Sequence, residues 1–240
     1  MQLQGLVDRL DRVSCKYNVD KTKVMASDGA YCILIQNELL KQVDTFPYLW
    51  SLITEDGECT TEFCIRLNRG QAIGAPLQKI WKSRSILIST KIRLMKALVF
   101  PVATYGCESW TLRKNEETRL GAFEMKGLRK ILRVLWTAKK TNEWVLNKAG
   151  VNRQLLDTVK ARKLAYCDHN MRKQGSCLEK EIMQGTVPGA RRRGRPRTTW
   201  MDNIKTWTGL SMEESVRMTE DRDKWRKYVR GVANPRIEDG

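Results

Sequence analysis

Read as apolar and polar positions, the chain changes period near residue 60. Before it, apolar residues alternate or run in short blocks; after it, they recur every three or four residues, the spacing of one helical face. The start is an exception. "MQLQGLVDRLDRV" places Leu3, Leu6, Val7, Leu10 and Val13 on one side of a helix that begins with no cap or turn before it. Such a start reads as the middle of a fold. "KVMAS", the turn signal Asp28-Gly29, "YCILIQ", Asn37-Glu38, "LLKQV", "FPYLWSLI" and the turn "TEDGE" then read as short strands. They predict a small antiparallel patch over 20–54, with too few strands to bury a face alone.

From 60 onward the pattern predicts helices. "TEFCIRLNRGQAIGAPLQKIW" should bend or break at Gly70, Gly74 and Pro76. "STKIRLMKALVFPVATYGCESW" offers Ser89 as a cap and a kink at Pro101. "NEETRLGAFEMKGLRKILRVLW" aligns Leu120, Phe123, Leu128, Ile131 and Leu132. A short helix should end at Gly150 and a long one at Gly175. Trp200, Ile204 and Trp207 stand at i, i+4 and i+7, Ser211 and Glu214 form a capping box, and the last helix carries Trp225, Tyr228 and Val229. The fold class is mainly α with a small N-terminal antiparallel β patch.

Charge sharpens this picture. Residues 1–60 hold six Lys/Arg against nine Asp/Glu; the other 180 hold 38 against 18, a net of +20. So one-sided a field suits a polyanion, and a solvated basic surface is the plainer alternative. Seven scattered cysteines, with no CxxC, argue against a disulfide framework and for a reducing, intracellular setting. Cys167, His169 and Cys177 are one ligand short of a tetrahedral zinc site; a helix that happens to carry them is the simpler reading. No apolar run approaches the ~20 residues of a membrane span, so no membrane partner is expected.

Three stretches, in order, resemble the non-LTR (LINE-type) retrotransposon reverse transcriptases. "YNVDKTKVM" has N-x-x-K-T-K at Asn18, Lys21, Thr22 and Lys23, similar to the family's motif D. "FPYLWSLIT" resembles the primer-grip hairpin, motif E. "KIRLMKALVFPVATYGCESW", "FEMKGLRKIL" and "RRRGRPRTTWMDNIKTW" resemble the thumb and C-terminal segment, with their Y-G-C-E-x-W and R-R-R-G-R-P-x-x-x-W blocks. The resemblance covers nearly the whole chain. It implies a palm-edge remnant at 1–58, thumb-like helices at 59–136, a helical region at 137–186, a basic linker at 187–199 and C-terminal helices at 200–240.

It also implies roles. Lys21 matches the lysine that serves the leaving pyrophosphate, an auxiliary position; Lys23, Tyr48 and Leu49 would lie along nucleic acid. Trp50 stands where the family has glycine, so the hairpin should re-pack or the grip be damaged. The chemistry itself is missing. Polymerisation needs two metal ions on carboxylates, and the sequence has no Asp-Asp. "YCDH" at 166–169 echoes Y-x-D-D only superficially. The chain is therefore expected to be catalytically incomplete, with no cofactor of its own; Mg²⁺ would belong to a missing palm, itself a possible partner.

The arginine block remains. Arg191, Arg192, Arg193, Arg195 and Arg197 surround Gly194 and Pro196. Arg193-Gly194-Arg195-Pro196 is also the core of AT-hooks, which lay arginines in a narrow minor groove. Arg191, Arg192 and Arg197 would add phosphate contacts. The expected partner is DNA or RNA, as a duplex. Three functions stay open: a binding-competent reverse-transcriptase fragment, a basic module with an AT-hook-like arm, and a degenerate remnant.

Overall fold

A computed structural model describes residues 21–26, 32–35, 38–173, 180, 183 and 198–233. The leading helix, Asn18, the Asp28-Gly29 turn, Gly175, Cys177 and all five arginines of the block lie outside the described residues. The chain divides into two compact units, with the boundary between Glu62 and Phe63.

In the first unit the described strands form three two-stranded ladders. β2 (Leu34–Ile35) pairs antiparallel with β3 (Glu38–Leu39), and β5 (Thr45–Tyr48) with β6 (Ser51–Thr54). The antiparallel patch is present, but β1 (Lys23–Val24) pairs parallel with β4 (Lys41–Gln42). The "TEDGE" turn forms as expected: Gly57, at φ 66°, donates to Thr54 O at 3.0 Å. At 5 % exposure, Leu40 is this unit's buried apolar residue among those described.

The β5–β6 hairpin answers the question raised by Trp50. Tyr48 pairs with Ser51 across a two-residue connection, with φ 46° at Leu49 and 67° at Trp50. Positive φ at both central positions is what a type I′ turn requires, and glycine or asparagine adopts it at least cost. The tight turn is made without glycine, and the indole points outward at 80 % exposure. Leu49→Asn with Trp50→Gly should therefore stabilise the hairpin by about 1–2 kcal/mol. Hydrogen exchange would read this as roughly tenfold slower exchange of its ladder amides. Unchanged exchange would mean that the two side chains hold the turn themselves.

The second unit is helical. α1 (Thr60–Gly74) runs through Gly70 and stops at Gly74, just before Pro76. Gly70 has a packing reason: a Cβ there would lie 2.9 Å from both Ala103 Cβ and Phe123 Cζ. After α2 (Gln78–Lys82), α3 (Ile88–Leu94) starts from Leu87 with no side-chain cap, so Ser89 lies inside the first turn rather than capping it. The helix then widens to a π turn at Met95–Val99 before α4 (Phe100–Ala103). Pro101 explains this: it offers no N–H, and its ring crowds the carbonyl four residues back.

α5 (Lys114–Leu132) buries Leu120, Phe123, Leu128 and Ile131, as its spacing predicts. It also buries Glu124, whose carboxylate accepts from Gln154 N at 3.0 Å and Leu155 N at 3.2 Å. Those amides open α7 (Leu155–Met171), so a side chain 30 residues upstream caps it. α6 (Asn142–Ala149) lies between, capped by Thr141 and ended by Gly150 at φ 66°. α8 (Trp200–Thr208), α9 (Met212–Glu220) and α10 (Arg222–Ala233) close a second core on α7, where Leu164, Cys167 and Met171 meet Met201, Ile204 and Trp225. The Ser211–Glu214 capping box forms in both directions, at 2.9 and 3.2 Å.

Burial raises the Glu124 carboxyl above its ordinary value, outweighing the two amides that favour the anion. A folded pKa above the unfolded one gives stability that is full below about pH 4.5 and lost as pH climbs through the raised value. Glu124→Ala should cost about 1–3 kcal/mol through the orphaned amides. Since the variant lacks that downward slope, the gap from the parent should be widest near pH 4.5 and narrower at pH 7. Melting at the two pH values checks this; a gap that widens toward pH 7 would mean that the helix terminus stabilises the anion more than burial penalises it.

Candidate nucleic-acid interface

The Y-G-C-E-S-W segment is built into the core. Gly106, at φ 69°, turns the chain into a 3₁₀ turn at Cys107–Ser109. Trp110 is 1 % exposed and stands edge-on to Phe63, with ring centroids 5.3 Å apart. Lys163 of α7 reaches this corner fully buried. Its Nζ donates to Trp110 O at 2.6 Å and Asn203 Oδ1 at 2.7 Å, and lies 4.7 Å from the Trp200 ring centroid.

α8 is sewn to the same corner. Trp200 Nε1 donates to Glu108 O at 2.8 Å, and Trp207 Nε1 to Glu117 Oε1 at 2.8 Å. Asn203 pairs with the Leu112 backbone both ways, accepting its N–H at 2.8 Å and donating to its carbonyl at 2.6 Å. The residue that follows the arginine block, Thr198, lines a cleft of about 750 Å³ together with Arg113, Lys114 and Lys160. Thr198, the first described residue after the block, therefore lies on a partly basic surface, which Glu117 and Asp202 share.

A second cleft, of about 1000 Å³, is lined by seven cations and a set of apolar residues. Lys126, Arg129, Lys130 and Arg133 occupy i, i+3, i+4 and i+7 at the end of α5 and so share one face. Lys82 joins them from α2, and Lys139 and Lys140 from the segment before α6. Its apolar lining comes from Ala122, Met125, Val134 and Leu135, and no acid is among its described lining residues. The helix dipole accounts for cations in the last turn of α5, but not for Lys82, Lys139 or Lys140. Arg129 is a strut: its Nη2 donates to Lys140 O at 2.8 Å and Asn142 Oδ1 at 3.0 Å. Arg133 ends α5 in the left-handed region at φ 57°, and Lys139 is left-handed too at 45°. Glycine is preferred at such a helix end, so a large cation there carries backbone strain at a charged cleft.

The other sequence-derived positions fall as follows. Lys21 is exposed, just before β1; Lys23 lies in β1, opposite Lys41. Tyr48 and Leu49 sit at the hairpin tip, 55 % and 68 % exposed, in a different ladder from Lys23. Cys167 is buried, its thiol pushed up to about 12 mainly by desolvation, while His169, two residues on in the same helix, faces outward. The described residues hold no group of three or more metal-ligating side chains. Asp168 of "YCDH" is paired in-helix with Arg172 at 2.8 Å, and burial raises its carboxyl. The acids Glu116 and Glu117 have structural partners, Arg113 N and Trp207 Nε1. The basic cleft is the element that reading along the chain passed over. Its signal was there, in the K-x-x-R-K-x-x-R spacing opposite the apolar face of α5.

Comparison with known proteins adds an origin. The chain is 25 % identical over 247 aligned positions to a Caenorhabditis elegans protein named "Putative uncharacterized transposon-derived protein", covering 95 % of this chain and 87 % of that one. This similarity supports a transposon origin. No family model matches the chain, and no solved structure matches it. Among the described residues, no helix is long and apolar enough to cross a membrane.

Proposed function

We propose that this protein is a nucleic-acid-binding remnant of a LINE-type reverse transcriptase, corresponding to its palm edge, thumb and C-terminal segment. The cleft at the end of α5 carries the reading: seven cations from three segments converge on it with no acid among its described lining residues. Such a cleft matches the regular negative charge of a phosphate backbone. The similarity to a transposon-derived protein and the three motif resemblances support the origin. Binding, rather than polymerisation, is the activity proposed, because the sequence has no Asp-Asp pair to hold two metal ions. The arginine block would act as a second contact, on duplex. Neutralising the cleft cations and measuring affinity against salt tests the reading; unchanged affinity and salt slope would overturn it.

A basic module unrelated to polymerases, with the R-G-R-P arm as its main contact, is the second reading. It is favoured by the pinning of α8, the helix that follows the arm in sequence. The two readings part on which basic element dominates binding.

A further inference from the structure

We propose that the cleft at the end of α5 binds single-stranded nucleic acid. The inference rests on the nucleic-acid reading above and names the form of ligand that this site accepts. A duplex presents phosphates on a convex surface and keeps its base faces stacked inside, so an apolar lining gains nothing from it. A single strand offers both parts: phosphates for a cationic rim, and unstacked bases for an apolar or aromatic surface.

The cleft has both parts. Lys126, Lys130 and Arg133 line it from the end of α5, and Lys139 and Lys140 from the segment before α6. Leu135, 72 % exposed, lines the cleft along with these cations. Its position among cations, next to Val134 in the same lining, is what makes it available to an unstacked base. Beside the cleft, Trp144 of α6 is 38 % exposed, and the Lys140 ammonium lies 5.3 Å from its ring centroid. A phosphate can draw Lys140 off the indole, because a fixed anion attracts an ammonium more strongly than a ring quadrupole does. The freed indole face is then a stacking surface for a base.

The test uses the full chain, a labelled oligo(dT) and a blunt duplex of equal length. Leu135→Ser and Trp144→Leu should each weaken oligo(dT) binding about tenfold and leave duplex binding within twofold. Oligo(dT) should quench tryptophan fluorescence in the parent, and less in Trp144→Leu. Leu135 is exposed enough that its variant should fold as the parent does, so the test survives a misfolded Trp144 variant. Equal losses on both ligands would overturn the single-strand inference while leaving nucleic-acid binding intact. Poly-glutamate displacing oligo(dT) as effectively as unlabelled oligo(dT) would overturn it in favour of an acidic peptide. Failure of both oligo(dT) and duplex to bind would remove the underlying reading as well.

Discussion

Lys163→Ala should cost about 3–5 kcal/mol of unfolding free energy, more than any exposed lysine in the chain. The side chain is fully buried and gives two short hydrogen bonds, to Trp110 O and Asn203 Oδ1, between the rings of Trp200 and Trp207. Alanine would leave a cavity and an unpaired buried carbonyl at Trp110. Lys163→Met separates the two effects. It keeps the volume, and Asn203 Oδ1 still accepts from Leu112 N, so the Trp110 carbonyl is orphaned without a cavity and the cost falls to about 1–3 kcal/mol. Urea midpoints for both variants give the comparison. Equal costs would show that the donors, not the volume, decide. A methionine variant more stable than the parent would show that desolvating the ammonium outweighs its bonds. Lys163 and Asn203 share a bond, so substitutions at both should not add.

The second large effect should appear in binding. Replacing Lys126, Lys130, Arg133 and Lys139 together with Ala should lower affinity for single strands about 10²-fold near physiological salt. It should also flatten the slope of log K against log salt by about 3, close to 0.7 per lost phosphate contact. Arg129 is left in place because it braces the loop at Lys140 and Asn142. Lys139 and Lys140 cannot serve as neutral controls for the arginine block, since both line the cleft. Lys205 and Lys227, exposed on α8 and α10, are better; their double alanine variant should lose less than threefold. Arg193→Ala with Arg195→Ala gives the comparison with the arm. If the arm pair abolishes binding and the cleft set does nothing, the second reading of function replaces the first.

Much of the architecture was written in local patterns. The Trp200, Ile204, Trp207 face, the Ser211–Glu214 box, the stop at Gly150 and the "TEDGE" turn depend on residues within a few positions of each other, so spacing alone announced them. The hairpin at Leu49-Trp50 shows where that logic bends. Residue preference argued against a tight turn, yet the pairing of Thr45–Tyr48 with Ser51–Thr54 imposed it, because the ladder outweighs the strain at two residues. The K-x-x-R-K-x-x-R stripe was also legible, but a stripe on one helix is equally a solvated face.

What only the tertiary structure decided is the fate of the polar residues. Lys163 and Glu124 look like surface charges in a helical pattern, and both are buried. Their partners include backbone groups at Trp110, Gln154 and Leu155, supplied by segments 30 to 53 residues away. Asn203 meets Leu112 across 91 residues. The same holds for the cleft, which exists because α2 and the segment before α6 bring Lys82, Lys139 and Lys140 to the end of α5. An apolar residue needs only to leave water, and any core will accept it; a polar residue needs one particular partner at one distance, and the packing of remote segments determines where that partner stands.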